Sequence, residues 1–263
     1  MAAHEDDILV ERDEAGIATV ILNRPAKRNA CSLSMWRTLG DLFEGLAGRP
    51  DIRAVVLTGA GGNFCAGADI SEFPQVRSTV EDGHLYELAG DRALCAIRDL
   101  PKPTIAAVHG FGVGGGCGLA LACDMRVGDA TTRMGIPAAR LGIVYGTTAC
   151  SLLLRQVGLA NAKLVLFSGR YFDAEACRSM RLIDSMAAEG ALPGARSLAR
   201  ELTARAPLSQ RGAKLLLEIL AQGQGQERAA EVEAMVDLAL ASEDYREGGL
   251  AFLEKRPPVF KGR

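Results

Sequence analysis

The residues best placed to do chemistry lie in two glycine-rich segments, FCAGADI (64–70) and HGFGVGGGC (109–117). Each follows an apolar run that reads as a buried strand, and the second leads into a helix. Backbone N–H groups in such turns can point into a crevice beyond the strand ends. Glycine and alanine also let a ligand come close to the main chain. Two N–H groups converging from separate turns can hold a carbonyl oxygen as it gains negative charge, and losing one such donor costs ~2.7–4 kcal/mol of barrier. On composition alone, two close-packed turns without a ligand remain the plainer reading. Gly110 to Gly115 also satisfies GxGxxG after a strand. Dinucleotide binding would place that turn in the first βαβ unit, with an acidic residue ~20 positions on. Here more than 100 residues precede it, and Asp129 follows a strand that begins too soon to allow a full crossover helix. NAD binding therefore ranks low.

Other polar candidates are scattered. His84, in SEFPQVRSTVEDGHLYELAGDR (71–92), can transfer protons near neutrality, with Glu81, Asp82 and Tyr86 nearby to assist. The alternative is a solvated helix start capped by Asp82. His109 reads as a packed strand end, and His4 as part of a tail. Cys117 stands at an expected helix N-terminus, where a thiolate is favoured, or is inert packing. Arg140, charged among apolar neighbours, suits a subunit contact or an acidic acyl group. No residue set has metal-ligand spacing.

The elements that must position these groups follow from pattern. The chain has 263 residues, 48% hydrophobic and 24% charged, which suits one large globular domain with a modest appendage and excludes global disorder. Thirty basic against 32 acidic side chains leave a net charge of −2. No broad cationic field exists for nucleic acid or an anionic membrane. Seven cysteines without a CxxC pair lead us to expect reduced thiols in the cytoplasm. The start, MAAHEDDILVERDE, shows neither an apolar signal core nor an Arg-rich leader. Thr104 to Cys123 lacks Asp, Glu, Lys and Arg, yet its six glycines and His109 argue for strand, turn and helix rather than a membrane span.

Strands are expected at 8–12, 17–22, 54–59, 104–108 and 124–128, and weakly at 182–185, with helices at 33–46, 84–99 and 117–123. Continuous apolar strands alternating with helices are the mark of a mostly parallel sheet covered on both faces. Beyond 147 the chain reads as helical, at 147–157, 160–167, 173–180, 207–221 and 227–241, with a flexible joint at 222–226. The expected organisation is an α/β core over 1–200 and a helical region over 201–263.

The segments ILNRPAKRNACS (21–32), NFCAGADISEF (63–73), KPTIAAVHGFGVGGGCGLALACDMRV (102–127), MGIPAARLGI (134–143), FSGRYFDAEA (167–176) and AFLEKRPPVF (251–260), in this order, resemble the crotonase superfamily, the enoyl-CoA hydratase/isomerase family. The resemblance runs from residue 8 to the C-terminus. It implies a ClpP-like ββα spiral core with a helical C-terminal trimerisation region, assembled as a trimer or a dimer of trimers. It places the oxyanion donors on the N–H groups of Ala68 and Gly115, with a thioester enolate as the species stabilised. It puts Ala66 and Ile70 near the adenine of CoA, Lys27, Arg28 and Ala30 along its nucleotide, and Phe252 and Lys255 where the C-terminus reaches CoA, often across a subunit boundary. CoA enters as part of the thioester substrate, with no separate cofactor and no metal.

Where the family's hydratases carry two glutamates, this chain has Gly118 and Ala138, and where some relatives use an aspartate it has Gly146. By that resemblance ordinary two-glutamate hydration is not expected. Tyr145, beside Gly146 in LGIVYGTT (141–148), resembles a segment of methylmalonyl-CoA decarboxylase-like members, although those tend to carry His at the position of Ala68. A phenol there can donate a proton to an enolate or orient a carboxylate. Three readings follow from the resemblance: an acyl-CoA enzyme of the hydratase/isomerase type, a decarboxylase or isomerase using Tyr145, and a silent acyl-CoA binding protein.

Overall fold

The computed structural model describes residues 7–263; His4 lies outside them. Two strands open the chain, β1 (Ile8–Arg12) and β2 (Ile17–Leu22), paired antiparallel as a hairpin. Helix α1 (Leu33–Ala47) follows, with Ser32 accepting from the Met35 N–H at its N-cap. It buries Met35, Trp36, Leu39, Phe43 and Leu46, the helical spacing visible in the sequence. Strand β3 (Ala54–Gly59) is buried on both faces, as its unbroken apolar run requires. After it come α2 (Phe73–Val76), α3 (Val80–Arg98) and the buried β4 (Thr104–Val108).

The second glycine-rich segment is a short strand, β5 (Phe111–Val113), running into α4 (Gly115–Ala122). Then come β6 (Met125–Gly128), β7 (Arg133–Gly135), α5 (Ala138–Leu141) and α6 (Thr147–Ser168). Helix α6 is long and apolar enough to cross a membrane by composition, but Gly158, at φ 75°, breaks it into two pieces too short to do so. The pieces match the two helices expected at 147–157 and 160–167. Next come β8 (Phe172–Asp173), α7 (Ala174–Ser179, capped by Asp173) and β9 (Ser185–Met186). The strand expected at 182–185 is displaced, because Leu182 and Ile183 are buried in the turn after α7 and pairing with β6 begins only at Ser185.

The main sheet has the order β1-β2-β3-β4-β6-β9, parallel from β2 onward. One face packs on α1, α3 and α4 through Leu57, Val108, Leu94 and Leu119. The other is covered by α8 (Ala191–Thr203), whose Ala191, Ala195 and Ala199 lie against Val56, Ile105 and Val127. Helices α9 (Pro207–Ala221), α10 (Ala229–Ala241) and α11 (Glu243–Glu254) complete the chain with few buried side chains. A second sheet, β5-β7-β8, stands beside the first and was not expected from sequence. The mostly parallel sheet with helices on both faces and a helical C-terminal region agrees with the fold that the sequence resemblance implies.

Candidate active site

The first glycine-rich turn is clamped by the loop before α1. Asn29, fully buried in a left-handed conformation (φ 58°), donates through Nδ2 to the carbonyls of Ala60 (2.9 Å) and Asn63 (2.6 Å). Main-chain bonds run from Ala66 N–H to Arg28 O (2.9 Å), Cys31 N–H to Gly67 O (2.7 Å) and Asp69 N–H to Cys31 O (2.8 Å). In this parallel bridge the partners of Cys31 are the residues flanking Ala68, so the N–H of Ala68 faces the opposite way. A second bridge pins the turn to β5: Cys65 N–H donates to Phe111 O and Val113 N–H to Cys65 O. The two turns are thereby fixed to each other.

Gly114, at φ 57°, starts α4, and the N–H of the next residue, Gly115, is the first in the helix without an intrahelical partner. A Cβ on Gly115 would lie 3.7 Å from the Ala68 nitrogen, and a Cβ on Gly67 (φ 94°) 3.1 Å from the Gly115 nitrogen. Among the described residues neither N–H has a protein acceptor. Two free donors from different elements thus face one narrow space, with the α4 N-terminus adding its partial positive charge.

The space opens into a cavity of about 130 Å³, lined by Ala66, Ala68, Gly115, Trp36, Tyr86 and Tyr145. Glu87 and Asp91 of α3 line it as well, as do Gly118, Ala138 and Gly146. Trp36 Nε1–H donates to the Tyr86 hydroxyl at 3.0 Å. The Tyr145 hydroxyl would lie 3.5 Å from a Cβ on Gly114, beside the donor turn. Burial, then the neighbouring Cys117 and Glu87, holds its phenol above the usual range, so it is a proton donor at neutral pH. A larger, mostly apolar hollow of about 770 Å³ lies between α9, α10 and α11.

The family model for enoyl-CoA hydratase/isomerase matches residues 12–263. The chain belongs to the enoyl-CoA hydratase/isomerase family. A relative from Thermus thermophilus, provisionally named an enoyl-CoA hydratase, is 38% identical over 96% of this chain and its own full length. The mitochondrial methylglutaconyl-CoA hydratase of Mus musculus is 33% identical over 98% of this chain and 84% of its own. A solved enoyl-CoA hydratase/carnithine racemase from Magnetospirillum magneticum superposes with a TM-score of 0.91 at 35% identity, covering 99% of this chain and 97% of that one. Members of the family act on acyl-CoA thioesters.

Of the residues singled out from sequence, the fold brings Ala66, Ala68, Ile70, Gly115 and Tyr145 to the cavity. Ile70 is 53% exposed. Lys27, Arg28 and Ala30 sit on the loop that clamps the first turn. Lys27 Nζ lies 2.7 Å from Asp69 Oδ2, an oxygen that also receives Arg24 Nη2 at 3.0 Å, while Arg28 lies over the Phe111 ring at 5.3 Å. Phe252, on α11 and 83% exposed, and Lys255, the C-cap of that helix, do not line the cavity. His84 is exposed on α3 and also off the cavity, and the cap of α3 is Thr79, not Asp82. Asp82 instead closes a capping box, accepting from the Thr79 N–H while its own N–H donates to Thr79 Oγ1. His109 contacts the Gly61 carbonyl through Nε2 at 3.0 Å. Burial pushes the Cys117 thiol up to about 12, so the helix N-terminus yields no thiolate. Arg140 lies over Tyr171.

The sequence reading missed Trp36, Glu87 and Asp91 as cavity residues. The available signal was the spacing on α3, where Tyr86, Gly90 and Leu94 share a face with Glu87 and Asp91 alongside. Nothing along the chain says that this face meets the glycine-rich turns.

Proposed function

We propose that the protein binds an acyl-CoA thioester with its carbonyl oxygen between the N–H groups of Ala68 and Gly115 and stabilises the enolate formed there. The carrying observation is the pair of unpartnered N–H groups converging on one cavity. Such donors are in place before charge develops, and they polarise the thioester and acidify its α-carbon. In this reading Ala66 and Ile70, which line the cavity, and Lys27, Arg28 and Ala30, on the loop that clamps the first turn, serve CoA, while Phe252 and Lys255, which do not line the cavity, serve it from another copy of the chain. The acyl group in this reading enters the cavity of about 130 Å³ that the two donors face. Gly118, Ala138 and Gly146 carry no carboxylate at the three wall positions where the resemblance puts the acids of relatives, so the reading is enolate chemistry of the isomerase or lyase type rather than two-glutamate hydration.

A second reading rests on Tyr145, whose hydroxyl stands beside the donor turn. As a neutral phenol it can protonate an enolate left by decarboxylation or proton removal. A panel of crotonyl-, 3-enoyl- and malonyl-type CoA esters, followed by calorimetry and by product analysis, separates these readings from silent binding. Binding of NADH without binding of any acyl-CoA would sink the proposal.

A further inference from the structure

Backbone donors stabilise an enolate but cannot take the proton whose loss creates it. Two carboxylates on the cavity wall are unused by the reading above. Glu87 and Asp91 project from α3 four residues apart and so share a helix face. Both line the same cavity as Gly115 and Tyr145. Both face Gly146, where an added Cβ would lie 3.9 Å from both oxygens of Asp91 and 4.0 Å from Oε2 of Glu87. Gly90, Gly118 and Gly146 line the wall too and have no side chain with which to screen the carboxylates.

The two groups have different surroundings. Glu87 Oε1 lies 2.9 Å from Arg77 Nη2, and that guanidinium is itself held over the rings of Phe73 (4.8 Å) and Tyr86 (5.2 Å). One oxygen of Glu87 is therefore anchored and Oε2 is left for the cavity. Asp91, part-buried, has neither hydrogen bond nor ion pair among the described residues. An ionised carboxylate is purely an acceptor, and the acceptor sites of Asp91 are open to whatever occupies the cavity.

We propose that Asp91 is the base that takes the α-proton of the bound thioester, with Glu87 as its positioning partner. The inference rests on the oxyanion reading. When Asp91 takes the proton, the C–H electron pair forms the Cα–C double bond of the enolate and the carbonyl pair moves to the oxygen facing Ala68 and Gly115. In a 3-enoyl thioester, return of that proton from Asp91 to the γ-carbon shifts the double bond into conjugation. Atoms balance and no oxidant or co-reactant is needed. Glu87, anchored through Oε1 by Arg77 and facing Gly146 through Oε2, keeps a second negative charge near Asp91 and so favours its protonated form between the two transfers.

The test is exchange of the α-hydrogens of butyryl-CoA for deuterium in D2O, read by mass spectrometry, with calorimetric binding of the same thioester and thermal melting in parallel. Wild type is expected to exchange, and Asp91→Asn to lose at least ~10²-fold in rate with unchanged affinity and melting. Glu87→Gln should fall between the two, and Asp91→Glu should recover part of the rate, which a merely structural role would not show. Wild-type exchange rates in Asp91→Asn would overturn the proposal. Binding of butyryl-CoA by wild type without exchange would also overturn it while leaving the oxyanion reading standing. Failure of wild type to bind any acyl-CoA would remove both.

Discussion

Gly116→Ala probes how the spacing of the two donors is set. Gly116 lies in the first turn of α4, directly after the donor Gly115, and is buried against the strand-like stretch that leads to Ala68. A Cβ there would stand 2.3 Å from the Cys65 carbonyl oxygen, 2.8 Å from Cys65 Cβ and 2.9 Å from its carbonyl carbon. These are mostly main-chain atoms tied into the bridge with β5, so no side chain can swing aside. Reaching ordinary contact near 3.4 Å requires α4 and the turn to part by about 1 Å. Overpacking of this kind costs ~1–3 kcal/mol, against a gain of up to ~1 kcal/mol from replacing glycine in a helix. With a backbone obstacle we take the upper end, a net loss of about 2 kcal/mol and a fall in Tm of roughly 4–8 °C. Because Gly115 moves with α4 while Ala68 stays with the turn, a displacement of about 1 Å should also cost ~10²-fold in α-hydrogen exchange of butyryl-CoA. Gly45→Ala, at an exposed position of α1 with nothing within 4 Å, is the control and should gain up to ~1 kcal/mol without touching exchange. A Gly116→Ala protein that melts and exchanges like wild type would refute the view that this contact sets the donor gap.

Three further outcomes are expected. On the reading in which Tyr145 protonates the enolate, Tyr145→Phe should lower turnover ~10²-fold while leaving acyl-CoA affinity nearly unchanged, because only a proton donated in the transition state is lost; unchanged turnover returns the residue to packing and leaves proton return to Asp91. For Asp69, burial pulls the carboxyl upward, but hydrogen bonds from Lys27, Ser71 and Arg24 outweigh it and bring it down to about 2. A folded value below the ordinary 3.8 means stability that is present above about pH 4 and lost as pH falls toward about 2. The stability gap between wild type and Asp69→Asn in urea should therefore shrink over that window, and a constant gap would count against the assignment. Exposed apolar side chains on α9 and α11, Leu217, Leu220, Phe252 and Leu253 among them, lead us to expect self-association. Light scattering at micromolar concentration should show a multiple of 27.8 kDa, and a strict monomer would contradict it.

The sequence by itself determined the elements whose stability is local or whose burial is continuous. The runs IATVIL, AVVLTG and TIAAV could only be buried strands, and they form the centre of the sheet. Asp173 announced α7, Pro207 announced α9, and the glycine-rich motifs announced the turns that carry Ala68 and Gly115. Elements whose local signals oppose them were not legible. Pro193 and Gly194 look like breakers in α8, yet a proline in the first helical turn forfeits only an N–H that has no partner anyway. Gly194 is needed there because a Cβ would stand 2.4 Å from that of Ala187. Gly248 and Gly249 hid α11 in the same way.

The strands β5, β7 and β8 are two or three residues long, too short for any periodicity, and exist only because residues 111–113, 133–135 and 172–173 meet in space. The site divides along the same line. Its donors belong to motifs written contiguously in the chain, whereas Glu87 and Asp91 become cavity residues only when α3 packs beside α4 and α6. Helical spacing put those two carboxylates on one face, but only tertiary packing could decide what that face would meet.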